Sequence, residues 1–450
     1  MRARHFLVLS SLLGPASALQ LPFKVPSFFD HQAKVEAKPR IAIIGAGAGG
    51  SSAAFWLAKA QALGVEVEVD LFEKESYVGG RTVVYPYDNK SFPAVELGAS
   101  IFVKANKNMW RAVDEFNLTR RDFKEEQGLG IWDGEKILYT ANGGWWGWWD
   151  TAKALLRYGI QSPRRTQSFV DGMIKTTRTK STPWRARVLL PQPERGKHTA
   201  VAGGNFLVFE QFLNHSQANV HLNTAVTSIK PKSSGDWVVT SSEGSQSYKA
   251  VILAAPFHST KIDVPVEIAS AIPIQPYVHL HVTLVSTTAP RFSPGYFSQS
   301  PSAKLPAMML TTASNARQGG PEPEFNSISY HGRISESEWV VKVFSKTRIT
   351  DEWLSEMFDG QVGWVYRKEW DAYPELPPTS RFPDVMPAPG FYYVNSFEPF
   401  ISTMETEVLS ARNIVDLLLD QHFESGICGG KLASRTVADD FEDYVYGWDC

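Results

Sequence analysis

The sequence predicts an α/β protein organised around a dinucleotide-binding βαβ unit, and three neighbouring observations carry that reading. Ile41-Ala42-Ile43-Ile44 is a continuous apolar run, the pattern of a strand buried on both faces. Gly45-Ala46-Gly47-Ala48-Gly49-Gly50 follows at once. It leads into a helix of small and apolar residues from Ser51 to about Leu63 that stops at Gly64. Val65 to Glu73 then alternates with period two and ends in an acid, followed by Lys74.

Within Gly45-x-Gly47-x-x-Gly50 each glycine has a physical task. Gly45 permits the tight turn, Gly47 lets backbone approach a pyrophosphate, and Gly50 lets helix pack closely on strand. Phosphates then meet the unpaired N–H groups of Ala48, Gly49 and Gly50 at the positive helix end. Glu73 closes the second strand, where a carboxylate accepts the ribose hydroxyls of an adenosine.

Tyr77-Val78-Gly79-Gly80-Arg81-Thr82 comes directly after the acidic strand end and resembles the second glycine motif of the flavin amine oxidase and glutathione reductase-like families. The resemblance implies that Gly79 and Gly80 bring backbone to the flavin pyrophosphate, that Arg81 adds positive charge beside it, and that Thr82 belongs to the same cofactor-binding motif. Further segments resemble the same superfamily in order. Glu96-Leu97-Gly98-Ala99-Ser100 implies the stretch passing the isoalloxazine. Leu222 to Ile229 implies a strand with Val226 against adenine, and Val251 to Pro256, with Ala255, the return to the cofactor domain. Ser402-Thr403-Met404-Glu405 reads as a capping box opening a helix, Ser followed three later by Glu. Its N-terminus at Thr403 and Met404 would face the flavin edge and stabilise the reduced ring. The cofactor implied is FAD, in a Rossmann-type FAD-binding domain of glutathione reductase-like build with an interleaved α+β substrate domain.

Ala202-Gly203-Gly204-Asn205, Trp339 to Ser345, Tyr392 to Asn395, Glu398 and Thr403-Met404-Glu405 resemble segments of the prenylcysteine oxidase (prenylcysteine lyase) family. That resemblance implies an oxidase with a small lipophilic thioether substrate and O2. Farnesyl- or geranylgeranyl-cysteine would be oxidised at the carbon beside sulfur to give cysteine, a prenyl aldehyde and hydrogen peroxide. One departure stands out: the stretch between Arg157-Tyr158-Gly159 and Ala202 is shorter than the long, mainly helical one the family carries. It leaves room for a divergent flavin oxidase of fungal-type specialised metabolism with another lipophilic substrate, or a flavin- or lipid-binding protein without turnover.

The reading divides the chain into a signal peptide over 1–18, an N-terminal arm over 19–39, and FAD-binding parts over 40–130, 200–260 and 386–425. A shortened helical region over 131–199, a substrate domain over 261–385 and a tail over 426–450 complete it. Arg2 and Arg4, the apolar run around Phe6 to Leu13 and Ala16-Ser17-Ala18 form the leader. Sequons at Asn89, Asn117 and Asn214 agree with entry to the secretory pathway and a vacuolar, lysosomal or extracellular address. A formal net charge of −2 calls for neither nucleic acid nor an anionic membrane surface, and no stretch is long and apolar enough to span a bilayer. The Trp-rich run 145–149 suits helix packing or peripheral membrane contact. Cys428 and Cys450 suit one disulfide or two thiols, and no His/Cys cluster has metal-ligand spacing. His279 and Glu398 are the candidate catalytic side chains. His279 shares a strand face with His281, and Glu398 lies ahead of the last cofactor helix.

Overall fold

The structure is a computed structural model describing residues 38–86, 94–122, 128–141, 198–430 and 444–450. The leader and most of the arm, the sequon at Asn89, the Trp-rich run 145–149 and the Arg157-Tyr158-Gly159 segment lie outside these residues.

In chain order the elements that build the site begin with β1 (Arg40–Ile44), α1 (Ala48–Ala62) and β2 (Glu68–Phe72). Next come α2 (Lys107–Glu115), α3 (Phe206–Asn214), β3 (Asn219–His221) and β4 (Ala250–Leu253). Then follow β5 (Tyr277–Thr287), β6 (Trp339–Ser345), β7 (Val362–Pro374), β8 (Phe391–Tyr393) and α4 (Met404–Phe423).

Five of these strands form one parallel sheet in the order β3-β2-β1-β4-β8. The apolar run of β1 is there because β1 is central and covered on both sides. Ile41 and Ile43 belong to the apolar cluster built with the helices α1, α2, α3 and α4, while Ala42 and Ile44 belong to the one on the other face with Val226, Val239, Trp237 and Tyr248. The latter four belong to a three-stranded antiparallel sheet over 226–248. α1 is apolar all round because it is buried among those helices. It ends where Gly64, at φ +96, donates its N–H to the Gln61 carbonyl.

A seven-stranded sheet holds β7, β5 and β6, then the strands at 327–333, 308–311, 129–132 and 137–141. One face of β5, with Leu280, Val282 and Leu284, packs against Val83, Val95 and Leu97, so this sheet sits directly over the segment that follows the second glycine motif.

Two expectations change. The helix after the glycine turn starts at Ala48, so the last glycines of the motif are already helical. The strand expected over Leu222 to Ile229 is split, because Asn223 turns the chain at φ +54 and the strand begins at Val226. Asn tolerates that left-handed conformation better than other non-glycine residues, and its N–H is held by the Glu75 carbonyl.

Cys428 and Cys450 form a disulfide. It returns the chain end to α1, where Trp448 packs against Phe55, Trp56, Phe116 and Phe212. Closing a sequence separation of 22 residues stabilises by about 3 kcal/mol on loop-closure entropy. Cys450→Ser is therefore expected to lower the urea midpoint of unfolding, and reductant to lower the parent chain to the same value. An unchanged midpoint in both would mean that the bond does not form.

Candidate functional site

The turn between β1 and α1 is closed by contacts that leave no room for a Cβ. Gly45 has φ +106, and a Cβ on it would lie 2.7 Å from the Ala254 carbonyl oxygen. On Gly50 it would lie 1.8 Å from the Gly45 carbonyl oxygen. Gly47 is the N-cap of α1 and no side chain caps it, so the first N–H groups of the helix face outward from the turn.

The second glycine motif lies against this turn. Gly79 donates its N–H to the Ala46 carbonyl at 2.9 Å, and Gly47 and Gly79 form a β-bridge. Gly80, at φ +56, would put a Cβ 3.2 Å from the Gly47 Cα. Thr82 Oγ1 donates to the Gly79 carbonyl and fixes the bend. Two backbone ribbons without side chains thus converge where an α-helix begins, which is the form of a pyrophosphate cradle.

Glu73 is buried beside it. Oε2 accepts the Ala46 N–H at 2.8 Å and Oε1 the Glu75 N–H at 2.9 Å. Burial raises its pKa above the usual carboxylate value. Each oxygen keeps a lone pair for a hydroxyl donor. Lys74 points outward and pairs with Glu75 at 3.8 Å. Val226 and Ala255 join the apolar cluster around Phe72.

Arg81 has a role other than the free cation expected. Its Nη2 lies 2.6 Å from Glu398 Oε1 and 3.4 Å from Glu407 Oε1; both carboxylates are buried, while the Arg81 side chain is 26% exposed. Ser402 Oγ donates to the same Glu398 oxygen, and the Tyr277 hydroxyl donates to the other. Asn395 Nδ2 donates to Glu407 Oε1 at 2.9 Å. Glu398 is therefore committed to these donors and acts as an anchor, not as a free carboxylate for an incoming ammonium. A Cβ on Gly49 would come within 2.9 Å of Glu407 Oε2, so this carboxyl lies against the glycine turn. Burial first and then Glu398 push the Glu407 pKa up to about 8. A protonated Glu407 leaves Arg81 and Glu398 as a neutral pair next to the cradle.

The 96–100 segment is clamped from three directions. Lys342 on β6 donates to the Glu96 carbonyl at 2.9 Å. Asn205 donates its N–H to Glu96 Oε1 at 2.6 Å and Nδ2 to the Ala99 carbonyl at 3.0 Å. Ser100 Oγ donates to the Gly98 carbonyl. Gly98 is pressed between backbone and β7, since a Cβ there would lie 2.0 Å from the Arg81 carbonyl oxygen and 2.9 Å from the Trp370 ring. Desolvation pushes Glu96 up to about 8 and Lys342 down to about 8. Glu96 Oε2, Trp370 Nε1 and Asn395 Oδ1 are buried with no protein partner. These orphaned groups surround the site, and together with the cradle they fit a polar ring cofactor joined to a dinucleotide.

The capping box is shifted by one residue. Thr403 is the N-cap of α4; its hydroxyl accepts the Thr406 N–H, and Thr406 Oγ1 accepts the Thr403 N–H. Met404 is buried behind the cap. Ser402 is turned to Glu398, while Glu405 accepts the N–H groups of Asn108 and Met109 and so caps α2 instead. His279 is not brought to the Arg81 cluster. It is half exposed, pairs with Asp371 at 3.1 Å and lies on the opposite face of its strand from Leu280, whose partner Trp370 meets Gly98. Glu407 and Tyr277 carry no local signal in the sequence, because neither lies in a motif and both act across long sequence separations. Lys342 carried a signal, a lone charge inside the apolar strand Trp339 to Ser345.

Raised acid pKa values set the sign of the pH dependence. Folded Glu96 and Glu407 keep protons that the unfolded chain releases above its ordinary value of 4.5. Their contribution is complete below that value and is lost as pH rises toward about 8, by at most about 1.4 kcal/mol per pH unit and group. Buried His331 and His422, held below the ordinary 6.5, act in the opposite sense beneath that pH, so the melting temperature is expected to fall from pH 6.5 to 8, and Glu407→Gln to flatten that fall. A slope unchanged by the substitution would show that Glu407 is ionised throughout.

Comparison with known proteins agrees with the site. The Prenylcysteine lyase family model matches residues 194–426, and an NAD(P)-binding Rossmann-like domain matches residues 43–116. Farnesylcysteine lyase of Arabidopsis thaliana is 26% identical, over 90% of this chain and 93% of its own. Human prenylcysteine oxidase 1 is 25% identical, over 85% of this chain and 89% of its own. A putrescine oxidase structure shares the fold at TM-score 0.57 and 15% identity, over 84% of this chain and 99% of its own. The alignment with the plant relative runs over 481 positions, more than the 450 residues of this chain, so that relative has segments absent here. A cradle of two glycine motifs, a strand-end acid and a matching family model over half the chain lead to one conclusion: the chain belongs to the prenylcysteine lyase family.

Proposed function

We propose that this protein is an FAD-dependent oxidase that cleaves the thioether of farnesyl- or geranylgeranyl-cysteine. The observation that carries the reading is the convergence of Gly47, Gly79 and Gly80 beside Glu73, with Gly98 held under the apolar face of β5 and β7. Farnesylcysteine and prenylcysteine are the compounds that its relatives are named for.

Bound FAD supplies the two-electron acceptor, and O2 as final oxidant leaves as hydrogen peroxide. The substrate carbon bonded to sulfur gives up hydride. Its positive charge is shared by the sulfur lone pair and the allylic double bond. Water adds there, and the hemithioacetal separates into cysteine and a prenyl aldehyde. Such a reaction asks the protein for position and dryness more than for a strong acid or base. Gly47, Gly79 and Gly80 would hold the diphosphate and Glu73 the ribose. The clamp of Lys342 and Asn205 would set the height of Ala99 and Ser100 beneath the ring. Leu280 and Leu97, with Trp370 against them, pack as a buried apolar layer beside the 96–100 segment, suited to limiting the access of water.

Secretory placement follows as part of the proposal. It is supported by the leader-like N-terminus, by exposed sequon residues Asn117 and Asn214 at the ends of α2 and α3, and by the disulfide. Among the described residues no helix is long and apolar enough to cross a membrane.

Purified protein is expected to be yellow. Anaerobic farnesylcysteine should bleach its visible absorbance, and air should restore it with peroxide and cysteine formed in equal amounts. Yellow protein that never bleaches would remove the substrate assignment. Colourless protein that takes up no added flavin would remove the cofactor. Gly80→Val should reduce bound flavin roughly tenfold by filling the cradle, about 1.4 kcal/mol of affinity.

A further inference from the structure

β5 and β7 pair antiparallel, with His279 opposite Asp371 and His281 opposite Glu369. These four side chains share the sheet face turned away from Leu280 and Trp370. His281 Nδ1 is 3.4 Å from Glu369 Oε2, and the two imidazole centroids are 5.3 Å apart. One ligand atom from each of His279, His281 and Glu369 lies within 4.8 Å of the others. Around a tetrahedral ion with bonds of roughly 2.0–2.1 Å, neighbouring ligand atoms stand about 3.4 Å apart. The His281–Glu369 edge already has that length, and side-chain rotation on a fixed ladder brings in His279.

The surroundings favour a cation. Asp371 is hydrogen-bonded to His279 at 3.1 Å, as carboxylates orient metal-binding imidazoles. Arg367, on the same face of β7, is turned to Asp351 at 2.5 Å and to the Ile349 carbonyl, leaving Glu369 and Asp371 un-neutralised by it. His279 and Glu369 are exposed enough to admit an ion from solvent. Two imidazoles and a carboxylate select zinc, copper or nickel over magnesium or calcium.

We propose that His279, His281 and Glu369 form a divalent transition-metal site of the zinc class, with Asp371 orienting His279 and water filling the remaining position. It stands on the ladder geometry alone and does not rest on the oxidase reading. The test uses the full chain, flavin-loaded and freed of any affinity tag, after chelator dialysis. Zinc titration by calorimetry should show one saturable site per chain, and Cu²⁺ should give an electron paramagnetic resonance spectrum with coupling to two imidazole nitrogens. His279→Ala with His281→Ala should weaken zinc at least 100-fold, and Glu369→Gln about tenfold, with flavin content and melting temperature of the metal-free protein retained. No saturable uptake by the parent chain would overturn the proposal. So would a Glu369→Gln variant, or a folded double variant, that binds as the parent does.

Discussion

The buried contact of Arg81 with Glu398 and Glu407 holds the site together. Its members come from four places: the second glycine motif, the turn before α4, α4 itself, and β5 through Tyr277. A buried charge left without its partner costs on the order of 3–5 kcal/mol, so none of these elements can drift without the others. The cradle depends on this. Gly79 and Gly80 can lie against Gly47 only while the next residue, Arg81, is anchored beneath them. The same anchor explains why a guanidinium in this motif is compatible with a site that also buries two acids. The cluster approaches neutrality when Glu407 holds its proton, so that the helix N–H groups would be left to hold the phosphates of a bound dinucleotide.

Much of this was legible in the sequence where the cause is local. The β1–α1–β2 unit needs small residues at fixed steps, so Gly45, Gly47 and Gly50 reveal the turn, and Glu73 reveals the strand end. Helix α4 and strand β8 were legible for the same reason. What could not be read comes from contacts between distant segments. Ser402 and Glu405 had the right spacing for a capping box, yet Ser402 turns back to Glu398, four residues earlier, and Glu405 is claimed by the distant N-terminus of α2. Thr403 and Thr406 took their place because a threonine hydroxyl can both accept and donate. Asn223 broke an expected strand because a single residue tolerant of positive φ outweighs a β-prone run around it. Arg81 stands out through its motif, but its partners at 398 and 407 are more than 300 residues away.

Burial of Lys342 and Glu96 has a related logic. Both are pushed toward the neutral form by desolvation, and neither is exposed to reacting groups by position alone. Lys342 spends its N–H on a backbone carbonyl, which needs no counter-charge and leaves the Glu96 side chain to Asn205. The result is a polar frame behind the 96–100 segment and an apolar wall in front of it. A thioether oxidation suits this division, because its cationic carbon is stabilised by its own sulfur and needs only the one water that adds there, while a mobile carboxylate near it would add an unwanted route.

The alternation of β5 and β7 completes the argument. Leu280 and Trp370 must face Gly98, because the wall needs bulk there, and this forces His279, His281, Glu369 and Asp371 outward. A histidine two residues from another histidine therefore says little about catalysis until the strand face is known. In this protein the apolar face serves the site, and the polar face collects two imidazoles and a carboxylate whose ligand atoms lie within 4.8 Å of one another. The register that builds the first face builds the second, so a one-residue slip of β7 would destroy both at once.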